Sequence, residues 1–193
     1  MRGVSRIAAK RQETEVRMDR YGSGWIFAAA ALFFAGCAPS SAHIPAVRDF
    51  DSAKYMGKWH EIARLPNRFE RGLDRVTAEY TPAPDGSITV VNRGMRGGEV
   101  RSVTGKAKLK TPGAKPPAGE LRVSFFGPFY SDYRIIELAP DRRYSVVTGG
   151  TMDYLWILAR TPRLDAAELQ GILRRLETLG FDVAKLEYPL PAE

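Results

Sequence analysis

Few side chains in this chain could carry chemistry. There are two histidines, His43 and His60, and a single cysteine, Cys37. His43 falls in a linker-like stretch and His60 follows Trp59, so a catalytic role would have to rest on His60 or on Glu61 beside it. No Gly-x-Ser-x-Gly elbow is present, and no closely spaced set of His, Cys, Asp and Glu suits zinc. Gly94-Met95-Arg96-Gly97-Gly98 lacks the strand-to-helix setting of a phosphate or dinucleotide loop. These residues argue for binding rather than catalysis, with no metal and no cofactor.

Cys37 has a different meaning. Arg17 and Arg20 precede the apolar run Trp25-Ile26-Phe27-Ala28-Ala29-Ala30-Ala31-Leu32-Phe33-Phe34-Ala35, which ends at Gly36-Cys37. The run is short of the roughly 20 residues that span a bilayer and has the proportions of a signal-peptide core. A lone cysteine cannot form an internal disulfide and is an odd thiol in an exported protein. Phe34-Ala35-Gly36-Cys37 resembles the bacterial lipobox, whose cysteine is acylated and becomes the new N-terminus, although Phe34 stands where an aliphatic residue is usual. Residues 1–36 are therefore expected to be a signal peptide, with Met18 an alternative start, and Cys37 the site of lipid attachment.

The formal charge of +7 is uneven. Residues 1–36 carry six Lys/Arg against three Asp/Glu, which leaves +4 on the remainder. Spread over a mixed surface and without a recognised module, that is too weak a footprint for nucleic acid.

Residues 38–49 are rich in Pro, Ser and Ala without apolar periodicity, and predict a flexible tether reaching about 40 Å at ~3.3 Å per residue. From there the elements that position any site are strands. Short β-type runs are predicted over residues 57–65, 74–82, 87–94, 99–109, 120–126, 132–139, 143–149 and 154–160. They are broken by Pro84-Asp85-Gly86, Gly97-Gly98, residues 112–119, Gly127-Pro128, Pro140-Asp141 and Gly149-Gly150. Asp165 and Glu168 then resemble a helix start, Leu169, Ile172, Leu173, Leu176 and Leu179 form one helical stripe, and Gly180 is a stop. A short final strand is expected over residues 181–188. The fold class is thus all-β: an eight-stranded antiparallel up-and-down barrel with one C-terminal α-helix packed outside, in a single domain over residues 50–193.

Up-and-down connection also sorts the turns between two ends. Trp59, near the start of the first strand, and Arg160, at the finish of the eighth, fall at one end and predict a closed floor. The loops at the opposite end, residues 66–73, 94–96, 125–130 and 149–153, are the longest and richest in aromatics and arginine, and predict a mouth. Phe69, Phe126, Phe129, Tyr130, Tyr133 and Trp156 are candidates to line a pocket, and Arg68, Arg71 and Arg96 to receive an anionic headgroup.

Gly57-Lys58-Trp59 together with Arg160 resembles the signature of the lipocalins. The match lengthens through Trp59-His60-Glu61-Ile62-Ala63-Arg64, Arg68-Phe69-Glu70-Arg71-Gly72-Leu73, Val123-Ser124-Phe125-Phe126-Gly127-Pro128-Phe129-Tyr130 and residues 153–162, which resemble the bacterial outer-membrane lipocalins. That resemblance implies a tryptophan across the barrel floor with an arginine on its face, worth about 0.5 to 2 kcal/mol. It further implies anchoring by acyl chains to the outer membrane, on its periplasmic face, and binding of lysophospholipids or fatty acids for membrane maintenance under stress. Ala38 resembles an outer-membrane sorting residue. A dozen buried methylenes would give a gross gain of about 10 kcal/mol, and micromolar affinity after ordering costs. A structural or interaction lipoprotein with a self-filled barrel and, further off, a lipocalin-fold enzyme stay open, as does a homodimer.

Overall fold

The computed structural model describes residues 38–192. Eight antiparallel strands form a closed barrel in sequence order: β1 (Gly57–Arg64), β2 (Asp74–Pro82), β3 (Ile88–Arg96), β4 (Glu99–Leu109), β5 (Glu120–Phe126), β6 (Phe129–Leu138), β7 (Tyr144–Thr148) and β8 (Leu155–Ala159). Closure is made by β1 against β8, with His60 opposite Ala159 and Arg64 opposite Trp156. A short helix α1 (Ser52–Tyr55), capped by Asp51, leads into β1, and α2 (Ala166–Thr178) follows β8.

Four β-bulges interrupt the ladders, between Glu61 and Ala63, Asp74 and Thr77, Val123 and Phe126, and Ile135 and Glu137. Each extra residue reverses which side chains point inward along the rest of its strand. On β1, Trp59 and Glu61 face the interior. After the bulge Ala63 turns outward to the helix side, opposite Ile157, while Arg64 turns in, opposite Trp156.

The apolar residues accordingly separate into two cores. Inside the barrel lie Tyr55, Trp59, Tyr80, Ile88, Val90, Ala107, Leu121, Val123, Ile135, Val147 and Leu158. Outside it, Ala63, Val146, Leu155, Ile157 and Ala159 meet Ile172, Leu176 and Phe181. The wall of β7 and β8 is therefore dry on both faces. Helix α2 is held as its sequence requires: the Asp165 carboxylate accepts from the N–H groups of Ala167 and Glu168. At the far end Phe181 N–H reaches Leu176 O and Gly180 N–H reaches Glu177 O, with Gly180 at φ +91°. Glu168 does not reach back to the cap; it binds Arg143 of the barrel instead.

Two expectations are corrected. Residues 38–49 are not a free tether but are laced to the barrel wall. Met152 N–H donates to Pro39 O (2.9 Å), Arg134 Nη1 to Ser41 O (2.7 Å), and Val47 N–H to Ile135 O (2.9 Å). Ser41 and Ile44 are buried, and Val47 packs where Gly119 has no side chain, since a Cβ there would lie 2.8 Å from Val47. The final strand over residues 181–188 is reduced to a 3₁₀ turn, Val183–Lys185, and one bridge between Arg64 and Glu187. β1 pairs with β2 only from Gly57 to His60. Beyond that point the strands part, and the tail fills the gap, Glu187 binding the Arg64 backbone and Leu190 O accepting from Arg75 N–H. The leader and Cys37 lie outside the described residues.

One backbone position tests this packing directly. A Cβ on Gly105 would come within 2.6 Å of the Phe125 ring and of Ser124 O, so Phe125 can fold across the inner wall only because residue 105 has no side chain. Gly105→Val should cost roughly 1–3 kcal/mol, read as a lowered urea midpoint; an unchanged midpoint would disprove the packing argument.

Candidate functional site

The site grows upward from the floor. The Arg160 guanidinium lies 3.7 Å from the centre of the Trp59 ring, and Trp59 is fully buried. Arg160 Nη1 donates to Lys58 O (2.9 Å), and Nη2 to Lys54 O (3.2 Å) and Tyr55 O (3.1 Å). Trp59 Nε1 donates to Tyr55 O as well (2.9 Å). One planar cation thus covers the indole and ties the helix α1 carbonyls to the start of β1, which seals this end.

Above the indole stand three tyrosines. Tyr80 Oη and Tyr55 Oη each lie 2.9 Å from Tyr133 Oη, and Tyr55 Oη is 3.2 Å from Ser145 Oγ. Burial pushes the Tyr55 phenol up to about 12, and raises Tyr80 and Tyr133 further, so all three remain neutral donors. Four hydroxyls joined in a chain by three hydrogen bonds leave one O–H unspent.

Higher up, the inner wall carries charge. Glu61, buried, accepts from Arg64 Nη1 (2.6 Å), and Arg64 also donates to Glu187 (3.1 Å) and to Leu73 O (3.2 Å). Glu70 reaches in from the β1–β2 loop and accepts from Trp156 Nε1 (2.8 Å) and Asn67 Nδ2 (2.7 Å). Asn67 Oδ1 in turn accepts from the N–H groups of Phe69 and Glu70, a local turn that sends Glu70 inward and Phe69 out. Burial and the neighbouring Glu70 charge push the Glu61 carboxyl up to about 8, against the pull of Arg64.

On the opposite side the barrel is open. Residues 99–104 of β4 are exposed on both faces of the strand, so solvent reaches the inner wall there. The unbroken β3–β4 register puts Asn92, Gly94 and Arg96 on the inner face with Ile88 and Val90, and Val103 and Arg101 on it with Ala107.

Of the aromatic candidates, Tyr133 and Trp156 belong to the interior. Phe69, Phe126, Phe129 and Tyr130 are exposed on the rim. Arg68 lies 4.9 Å from the Phe69 ring; Arg71 and Arg96 are exposed at the same end. His60 points outward from β1, buried, with Nδ1 unpartnered and its imidazole held neutral by burial and by Lys58. His43 instead sits at the mouth end, on a cleft of about 680 Å³ outside the barrel. No group of three His, Cys, Asp or Glu suited to a metal occurs among the described residues.

The polar interior was absent from the sequence expectations. Alternation gave a signal for Glu61, two residues from Trp59 on one strand; nothing local announced that Glu70 would turn inward from a loop.

A closed eight-stranded barrel with a Trp–Arg floor and an outer helix now stands beside the family comparison. The family model described as a lipocalin-like domain matches residues 50–191. The chain is a lipocalin. Over 164 residues it is 42% identical to the outer membrane lipoprotein Blc of Escherichia coli (strain K12), covering 83% of this chain and 92% of that protein. It is 43% identical over 145 residues to the Blc lipoprotein of Citrobacter freundii, covering 74% and 80% of the two chains. Among solved structures, insecticyanin of the tobacco hornworm Manduca sexta superposes with a TM-score of 0.63 at 22% identity, over 76% of this chain and 83% of that one. At that identity the likeness concerns the fold.

Two outcomes follow for this lipocalin. Arg160→Ala removes the cation over Trp59 and three carbonyl contacts, and should cost about 2–4 kcal/mol in urea unfolding, with Arg160→Lys recovering only a part; an Ala variant as stable as the parent would refute the floor assignment. Glu61, raised from 4.5 to about 8 in the fold, holds its proton more tightly folded than unfolded. Its contribution is therefore complete below pH 4.5 and is lost as pH rises through 8, on the order of a few kcal/mol. Unfolding midpoints at pH 5 and pH 9 should differ in this sense, and Glu61→Gln should flatten the difference; an equal slope in the variant would remove Glu61 as its source.

Proposed function

We propose that this lipocalin is a lipid carrier tethered to the bacterial outer membrane through acylated Cys37, on the periplasmic face, and that it performs no chemistry of its own. Its ligand is a single-chain lipid, a lysophospholipid or a fatty acid, stored or transported in support of membrane maintenance under stress. The observation that carries this reading is the asymmetry of the barrel. One end is stoppered by Trp59 and Arg160, while at the other end the inner face of β4 at Arg101 and Val103 is exposed to solvent, above the apolar wall of Val90, Ala107 and Val123. An acyl chain entering there gains roughly 0.8 kcal/mol per buried methylene. The relatives named as outer membrane lipoproteins, together with the lipobox-like Phe34-Ala35-Gly36-Cys37, support the location.

In this reading Tyr133 and Trp156 meet the chain, Phe69, Phe126, Phe129 and Tyr130 shape the opening, and Arg68, Arg71 and Arg96 receive a phosphate or carboxylate. A second reading has its own observation. Trp59, Tyr55 and Tyr80 already fill the lower barrel with fully or almost fully buried rings, as they would in a structural lipoprotein whose barrel is self-filled. Titration separates the two. Trp156 fluorescence should change saturably with one equivalent of a lysophospholipid, with a micromolar dissociation constant, and Arg96→Ala should weaken an anionic lysolipid several-fold more than a zwitterionic one. No saturable change with any single-chain lipid would favour the filled barrel.

A further inference from the structure

The large apolar side chains exposed to solvent are not scattered over the surface. Among the described residues, every one exposed by more than half lies at the mouth end. Phe69 stands on the β1–β2 loop, Val100 at the start of β4, and Phe126 and Phe129 at the tip of the β5–β6 hairpin, 70% and 79% exposed. Tyr188 and Leu190 belong to the tail that fills the gap between β1 and β2 at the same end. The floor-end turns contain Pro84-Asp85-Gly86, Lys110-Thr111-Pro112-Gly113 and Pro140-Asp141-Arg142-Arg143, and expose no large apolar side chain. A collection of this kind, on one end of a domain, marks a surface meant to be covered.

A second, independent observation says what covers it. The described chain begins at the mouth: Pro39 O accepts from Met152 N–H, and Ser41 N–H donates to Gly150 O, both in the β7–β8 loop. From there it descends, through Val47 against Ile135 and Phe50 against Pro117, to the floor. Cys37 is one peptide before Ala38, the first described residue. A free tether over residues 38–49 would let any face of the barrel meet the membrane. A laced one brings the anchor out beside the opening.

Resting on the lipid-anchor reading above, we infer that the mouth end docks on the phospholipid leaflet that holds the Cys37 anchor, with Phe69, Phe126 and Phe129 set among its headgroups and acyl chains. The ligand then passes between leaflet and barrel without crossing water. Rings interleaved with Arg68, Arg71 and Arg96 suit such an interface, where an apolar body meets lipid and cations meet phosphate. A second copy of the chain would cover the same rings, but would not explain why the anchored end of the chain is pinned beside them.

The mature lipoprotein permits a clean test, because acylation occupies its only cysteine. Phe129→Cys at the mouth, or Thr111→Cys at the floor end, then supplies a unique thiol for an environment-sensitive fluorophore. Each labelled protein is reconstituted in phosphatidylethanolamine/phosphatidylglycerol vesicles containing doxyl-labelled phospholipid, with no ligand added. The label at 129 should shift to the blue and be quenched at least threefold more than the label at 111. Equal quenching, or stronger quenching at 111, would overturn the docking, as would a label at 129 shielded from aqueous iodide yet untouched by doxyl lipid, which is the signature of a second copy. Protein that fails to float with the vesicles would overturn the anchor reading itself, and the lysophospholipid titration remains an independent measure of ligand binding.

Discussion

A sheet of eight strands becomes a container only when its first strand is hydrogen-bonded to its last. Here β1 and β8 are joined from His60 to Arg64, and the joint is reinforced at the base by the stack of Arg160 on Trp59. The arginine comes from just beyond β8 and the indole from β1, so the contact that plugs the floor also clamps the seam. Its carbonyl partners, Lys54 and Tyr55 of α1 and Lys58 of β1, hold the short helix across the floor. Without that closure neither an inside nor a mouth exists, and the edge strands would be open to pairing with other chains.

Given an inside, the interest lies in how unevenly it is furnished. The lower barrel is occupied by rings whose hydroxyls satisfy one another. One wall carries the buried Glu61 and Arg64, with Glu70 held by Trp156, while the wall from β3 to β5 is apolar in its lower part and carries Arg96 and Arg101 where solvent reaches it near the mouth. Buried charge is costly unless paired and hydrogen-bonded, and each of these groups has partners. Their arrangement fastens the β1–β2 loop through Glu70 and the C-terminal tail through Glu187. The same polar cluster that interrupts a greasy interior thus organises the rim around it.

Both ends of the described chain are fastened near that rim, the first residues on the β7–β8 loop and the tail on β1 and β2. The lower turns expose no large apolar side chain, whereas the upper loops carry the exposed aromatic ones. This polarity along the barrel axis links the stoppered floor, the open wall and the position from which an anchor would leave.

Much of this architecture could be read along the chain. The strands, the turns between them and the capped helix with its Ile172 and Leu176 stripe depend on periodicities of two or 3.6 and on turn residues, which are local properties. Counting the strands placed Trp59 and Arg160 at one end, and the lipocalin resemblance implied their stacking. The outward turn of Ala63 and inward turn of Arg64 could not be read, because a bulge is one residue unpaired against a partner nearly a hundred positions away, and it inverts everything after it. Residues 38–49 look like a linker by composition, yet they are hydrogen-bonded to Arg134, Ile135, Gly150 and Met152, partners brought together only once the barrel has formed. Glu70 and Glu187 come from a loop and a tail, and only tertiary contact with Trp156 and Arg64 fixed where they sit. The sequence by itself determined the barrel and its floor; the tertiary structure decided what lines it and where its ends emerge, since those depend on pairings between residues that sequence order keeps far apart.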